Sequence, residues 1–408
     1  MLDTPPAGGT AVRLSRLAPS LLLGHLAWAI PGTASGTLLA ALLAAVDPAH
    51  KVGVFTAYAI AGAVTSAAGT VFGGLLSDGT RSRLGRRVPW LLGSALLSAV
   101  ALTASGLTSG LWVVGAWYAV FQLGVGMWTA ALSALIPDHA PAGSVGRASA
   151  AAGFGFLLGQ TVGGVIAGVL VTTPTAGLIV APWTMVVGAV AIAVVIGDRD
   201  NRADPRRTGG RPRLRDVLPS ASRDFWLAFA GRFLFILALL MITTFQLYLL
   251  TDYLRIPVAA AGRIVGIATV LVGILSGISV LVSGVLSDRL RRTKPFVTGA
   301  PLLLAVGLVP LLVAPSLASE LVFFAVVGLT LGTYLAVDQV LMVSVLPDSD
   351  TPARDLGVLG IASTLPGVVA PILGGVLATL VGYLAIFVVA LVLAVAAAAC
   401  IVGIRSVS

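Results

Sequence analysis

Twelve apolar runs constrain this chain more than any other feature. Each is near the length, about 20 residues, that crosses a bilayer as a helix. They fall at 17–45, 52–76, 89–108, 110–136, 147–171, 176–197, 224–250, 260–286, 295–314, 319–346, 356–379 and 381–404. In hydrocarbon every backbone N–H and C=O must be satisfied within the chain, which leaves helices or closed barrels. Runs this long and uniformly apolar read as helices, so the expected class is all-α, a polytopic membrane protein. Composition agrees: 58% of the residues are hydrophobic and 10% charged, against about 25% charged in a soluble domain. Pro31, Pro301, Pro310, Pro366 and Pro371 fall inside runs, which membrane helices tolerate because neighbouring groups re-satisfy the backbone. The residues from Met1 to Arg16 hold no apolar run, so no removable signal peptide is expected.

The chain also repeats itself. Gly73-Gly74-Leu75-Leu76-Ser77-Asp78 precedes a basic loop with Arg81, Arg83, Arg86 and Arg87 and then Pro89. At an offset of 210 residues, Ser283-Gly284-Val285-Leu286-Ser287-Asp288 precedes Arg289, Arg291, Arg292, Lys294 and Pro295. The same offset carries Ile136-Pro137-Asp138 onto Leu346-Pro347-Asp348. A duplicated half with membrane-length runs is the mark of a secondary transporter. The expected organisation is a first bundle at 1–197, a linker at 198–222 rich in Arg, Asp, Pro and Gly, and a second bundle at 223–408.

The formal charge of +9 follows from topology. With the N-terminus inside, the inner segments hold Arg13, Arg16, the loop around Arg81–Arg87, Arg147, the cluster at 199–223, the loop around Arg289–Lys294, Arg354 and Arg405. The outer loops hold little beyond Lys51, Arg255 and Arg263. This bias places both termini in the cytoplasm of a cell-membrane protein and lets basic loops meet anionic lipid. It leaves no soluble basic face for nucleic acid.

The stretch from Gly74 to Trp90, with Asp78, Thr80-Arg81-Ser82-Arg83, Gly85-Arg86-Arg87 and Pro89, resembles the signature between the second and third helices of the major facilitator superfamily. Its long form resembles the glycoside–pentoside–hexuronide cation symporters and their sucrose-carrier relatives. Gly79 departs from the pattern, which usually has Arg after the Asp. The resemblance implies two pseudo-symmetric six-helix bundles, working as a monomer by alternating access. It implies a cytoplasmic latch in which Asp78 meets the start of the eleventh helix near Asp355-Leu356. Arg81, Arg83, Gly85, Arg86 and Arg87 complete that latch, with Asp288, Arg289 and Arg291 their equivalents in the second copy. Asp78 needs such partners on physical grounds too, because a helix C-terminus disfavours an anion.

Ionisable groups inside a membrane are costly and are functional candidates by default. Asp338 lies nine residues before Pro347, near the midplane at about 1.5 Å per residue. Arg232 lies at similar depth in the seventh run, and His25 lies nine residues after Arg16. Aligning Arg16 with Arg223 places His25 on Arg232, and the 210 offset places Trp128 on Asp338. Unusual residues thus occupy equivalent positions. The resemblance implies that the first, fourth, seventh and tenth helices line a central cavity. Asp338, Arg232 and His25 are the candidate proton-coupling residues, with a fixed Asp338–Arg232 structural pair and a packing histidine as the alternatives. Trp28, Gln122, Trp128, Gln160, Gln246, Tyr334 and Gln339 are the candidate substrate-cavity residues, each of which could equally serve packing. Arg232, Phe235, Leu239, Thr243 and Gln246 share one helical face, as do Tyr334 and Asp338.

At the start of the fifth run and within it, Gly146, Gly155, Gly159, Gly163 and Gly164 resemble the glycine register of proton-driven antiporters, with Gln160 where that motif has Pro. Generic close packing explains the same glycines. The expected function is secondary active transport of a small organic solute, driven by protons or another cation, leaning to export of a drug-like molecule or secondary metabolite. Cation-coupled sugar or glycoside uptake is the alternative. A non-transporting sensor would carry a soluble output domain. No Ser–His–Asp spacing, paired acids or nucleotide-binding loop appears, and the single cysteine, Cys400, builds no metal cluster or disulfide. An enzyme, a cofactor, a metal or ATP drive is not expected.

Overall fold

The structure, a computed structural model, describes residues 14–141, 143–196, 222–290, 292–345 and 352–405. Among them all regular structure is helical. The first helices are α1 (Leu14–Val46), α2 (Lys51–Gly79), α3 (Val88–Leu107), α4 (Leu111–Ser133), the short α5 (Leu135–His139), α6 (Val145–Leu170), α7 (Pro174–Val180) and α8 (Trp183–Ile196). Then come α9 (Arg223–Thr244), the turn α10 (Gln246–Tyr248), a π-helical turn (Leu249–Tyr253), α11 (Val258–Leu290), α12 (Lys294–Val313) and α13 (Leu317–Ser344). The chain ends in α14 (Pro352–Thr364), α15 (Pro366–Leu380) and α16 (Tyr383–Val402).

Twelve spans long and apolar enough to cross a membrane result, once the abutting pieces Leu111–His139, Pro174–Ile196 and Val358–Leu380 are each read as one. They coincide with the twelve runs. The seventh is shorter than its run: α9 stops at Thr244, Phe245 breaks it, and the π-helical turn follows. The three consecutive β-branched residues Ile242-Thr243-Thr244 explain the weak point, since such side chains crowd the preceding turn. Ser222 starts α9 by accepting a hydrogen bond from the Phe225 N–H at 3.1 Å. Large apolar side chains are exposed on every span, Leu75, Val187, Leu281 and Val313 among them. Lipid rather than water suits such a surface.

The described residues group into two compact units, one within Met1–Val46 and Ala61–Arg207, the other within Asp47–Ile60 and Thr208–Ser408. In the first, α1 packs chiefly on α6 and α8, and α3 on α4 and α8. The α1–α6 contact is built on glycine. A Cβ on Gly155, Gly159 or Gly163 would run into the α1 backbone at Leu22, Leu26 or Ile30. The glycine register of the fifth run is therefore a helix-packing face here, while Gly146 faces open space. In the second unit, α11 packs on α13, α9 on α16 and α15, and α12 on α13 and α16.

Candidate functional site

The second unit holds the central pair. α9 carries Arg232 and α13 carries Asp338, and the guanidinium Nη2 lies 3.1 Å from Asp338 Oδ2. Asp338 is 3% exposed. Tyr334, one turn earlier on α13, packs its ring on Phe235 of α9, with centroids 4.5 Å apart. Below the pair an apolar cluster closes the unit: Phe225, Ala228, Val337, Leu341, Met342, Val345, Leu359, Ile401 and Ile404.

This pair is only partly satisfied. Asp338 Oδ1, Arg232 Nε and the Tyr334 hydroxyl are buried and find no hydrogen-bond partner among the described residues. A buried polar atom without a partner costs about 1–3 kcal/mol, so three in one place mark a site rather than a finished core. Gln246 Nε2, at the break after α9, is buried and unpartnered as well. The side chain of Gln339 lies outside the described residues.

In the first unit Trp28 of α1 stacks on Phe156 of α6, centroids 5.3 Å apart and planes at 28°. Its indole N–H is buried without a partner among the described residues. Gln160, one turn beyond Phe156, is half-buried. His25 keeps Nδ1 2.9 Å from the Leu21 carbonyl of its own helix. Gln122 donates to the Tyr118 hydroxyl at 2.9 Å. Trp128 is fully buried, and its indole donates to the Gly24 carbonyl at 3.3 Å. In this conformation it fastens α4 to α1.

The basic loop after α2 folds around Arg87. This side chain is buried and reaches Asp78 Oδ1 at 2.7 Å, Asp138 Oδ2 at 2.8 Å and Ser77 Oγ at 2.5 Å. Arg86 pairs with the other oxygen of Asp138. Gly85 sits at φ +74°, where a side chain is strained, and turns the chain so that both arginines point back. The Trp90 indole donates to Thr80 Oγ1 at 2.6 Å. Arg81 and Arg83 are exposed and pair with no acid among the described residues. In the second copy Arg289 is exposed. Arg291, Leu346-Pro347-Asp348 and the side chains of Asp288, Asp355 and Leu356 lie outside the described residues.

Three groups escaped the sequence reading. Asp138 was visible as part of a repeated Pro-Asp but not as the partner of Arg86 and Arg87. Glu320 is 1% exposed, and neither carboxylate oxygen has a hydrogen-bond partner among the described residues. It is the second residue of the run 319–346, a position at which sequence alone gives no sign of burial. The cap of α13 excludes it: Ser316 and Ser319 satisfy each other, N–H to Oγ at 2.8 and 3.2 Å, in the reciprocal manner of a capping box. Asp252, which the π-helical turn positions, receives Lys51 Nζ at 2.7 Å and the Tyr383 hydroxyl at 2.8 Å. The Lys51 ammonium also lies 5.2 Å from the Tyr248 ring centroid.

The geometry agrees with what the chain is similar to. The family model "Major Facilitator Superfamily" matches residues 17–278 and 241–407. No curated protein matches the sequence. A solved bacterial homologue of the human lysosomal transporter Spinster, inward-facing and occupied, superposes with a TM-score of 0.72 at 13% identity, covering 97% of each chain. A solved D-xylose–proton symporter gives 0.70 at 14% identity, covering 96% of this chain and 98% of that one. These likenesses show a shared fold, and with the family match over nearly the whole sequence they establish that this twelve-span chain belongs to the Major Facilitator Superfamily.

Proposed function

We propose that the protein is a secondary active transporter that moves a small organic solute by alternating access, driven by protons, with both termini in the cytoplasm. The observation that carries the reading is the buried Arg232–Asp338 pair with its unused bonding capacity. A proton on Asp338 would neutralise the acid and release the guanidinium, and a proton lost would restore the pair. That two-state element gives a proton gradient something to bias. His25 would share in proton handling. The bundles would run over 1–197 and 223–408, joined by 198–222, with the Asp78–Arg87–Asp138 network as the cytoplasmic latch. No enzymatic chemistry is part of this reading, and the chain would work as a monomer.

The solute we favour is drug-like or a secondary metabolite, moved outward. Each unit sets one of its candidate residues in an aromatic pair, Trp28 with Phe156 in the first and Tyr334 with Phe235 in the second, and Gln122 already uses its amide on Tyr118. An apolar or aromatic solute suits such side chains better than a sugar, whose many hydroxyls each need a partner. Cation-coupled sugar uptake is the second reading, supported by the long loop motif and by the likeness to a D-xylose–proton symporter. A resistance screen separates them. Wild type and Asp338→Asn are expressed in a bacterium stripped of its own pumps and challenged with toxic compounds. Export predicts resistance with wild type and sensitivity with the variant; sensitivity with both, alongside labelled sugar uptake by wild type, would replace export with uptake.

A further inference from the structure

We infer that the start of α12 is a binding site for one anionic phospholipid. A cavity of about 450 Å³ opens there, lined by Arg292, Lys294, Pro295, Thr298, Gly299 and Leu302. Its position is the first observation. α11 ends at Leu290 and α12 starts at Lys294, both membrane-length helices, so the cavity mouth lies where headgroups meet hydrocarbon.

The charge is the second. Arg292 is exposed and forms no ion pair among the described residues. Lys294 donates one hydrogen bond to the Ile404 carbonyl at 2.5 Å, which holds its amine in place and leaves its charge without a described acid. An ammonium has two further donors to give. Asp224, at the same end of this unit, accepts from the Arg405 N–H at 3.1 Å. Two cations with no counter-ion among the described residues, at a membrane surface, suit the phosphate of a lipid. The first turn of α12, whose cap residue Thr293 makes no side-chain bond, adds its dipole.

The shape is the third. Pro295, Thr298, Gly299 and Leu302 stand at i, i+3, i+4 and i+7, a single stripe along α12. From Pro295 to Leu302 the stripe descends about 10 Å into the bilayer, and it continues through the exposed Val306, Val309 and Val313. Thr298 and Gly299 make a shallow trough in it, and a Cβ on Gly299 would meet nothing within 4 Å. Cations at the mouth and an open apolar trough below match the two ends of an anionic phospholipid, a match that neither a free anion nor a neutral lipid makes as fully.

The test uses the purified full-length chain in mild detergent with equal amounts of phosphatidylglycerol and phosphatidylcholine of the same acyl chains. Native mass spectrometry counts the lipid retained. Wild type is expected to keep one phosphatidylglycerol in preference to phosphatidylcholine. Arg292→Gln should lower that occupancy about fivefold, the effect of one basic residue at a lipid surface. Gly299→Leu should abolish it by filling the trough, whereas Gly93→Leu, the same change at another glycine with open space, should leave it intact. Size-exclusion profiles confirm that each variant remains folded. Equal retention of the two lipids by wild type would overturn the site, as would equal loss in the two leucine variants. Stabilisation by inorganic phosphate to the same extent as by phosphatidylglycerol would reduce it to an anion site and overturn the lipid assignment.

Discussion

Arg232 and Asp338 pull stability and function in different directions. Each charge is tolerated in the unit only because the other is 3.1 Å away, and removing one leaves the second buried alone. Asp338→Ala or Arg232→Ala is therefore expected to destabilise the protein by about 3–5 kcal/mol, while the double change Arg232→Met with Asp338→Leu should recover most of that loss. Thermal unfolding in detergent of the singles and the double checks this; additive losses in the double would mean the two residues do not act as a pair. Glu320 provides the opposite case. Its carboxyl contributes no described bond and adjoins a cap already complete without it, so Glu320→Leu should raise stability by about 1–3 kcal/mol. A drop in unfolding temperature would show that the acid has a partner or role the fold depends on.

At the scale of the element, glycine decides how closely helices approach. α6 touches α1 through Gly155, Gly159 and Gly163, with the α1 backbone in the place of a side chain. Gly155→Val should prevent that contact and cut the yield of folded protein severely, whereas Gly153→Ala, on an open face of the same helix, should leave it unchanged. Expression followed by fluorescence-detected size exclusion reads both; equal yields would show that α1 can shift to accept a side chain. The run lengths marked every span in advance because backbone satisfaction in lipid leaves the helix little competition. The end of α9 was less legible, since the break at Phe245 and the π-helical turn depend on local crowding, which an apolar count ignores. Depth within a run exposed Asp338 and Arg232 as unusual, and the repeat set Arg232 opposite His25 and Asp338 opposite Trp128. Burial of Glu320, the Asp138 partnership of Arg86 and Arg87, and the Lys51–Asp252–Tyr383 cluster arise from packing between segments distant in sequence. Single-residue patterns carry no trace of such packing. Trp128 shows the converse: an aromatic at a cavity-equivalent position that is fully buried and bonded to a backbone carbonyl.

For the whole molecule, the two compact units and the family match supply the machine, and the pair in the second unit supplies its proposed drive. In this account a proton gradient acts through one carboxyl. Neutralising that carboxyl permanently should uncouple movement of the solute from the gradient without stopping the movement itself. The central claim is tested most directly in proteoliposomes holding purified wild type or Asp338→Asn, with a solute identified by the resistance screen. The account predicts that Asp338→Asn exchanges labelled for unlabelled solute across the membrane at close to the wild-type rate, yet accumulates none of it under an imposed pH gradient. Gradient-driven accumulation by Asp338→Asn at the wild-type level would contradict the coupling role and leave Arg232–Asp338 as a structural pair.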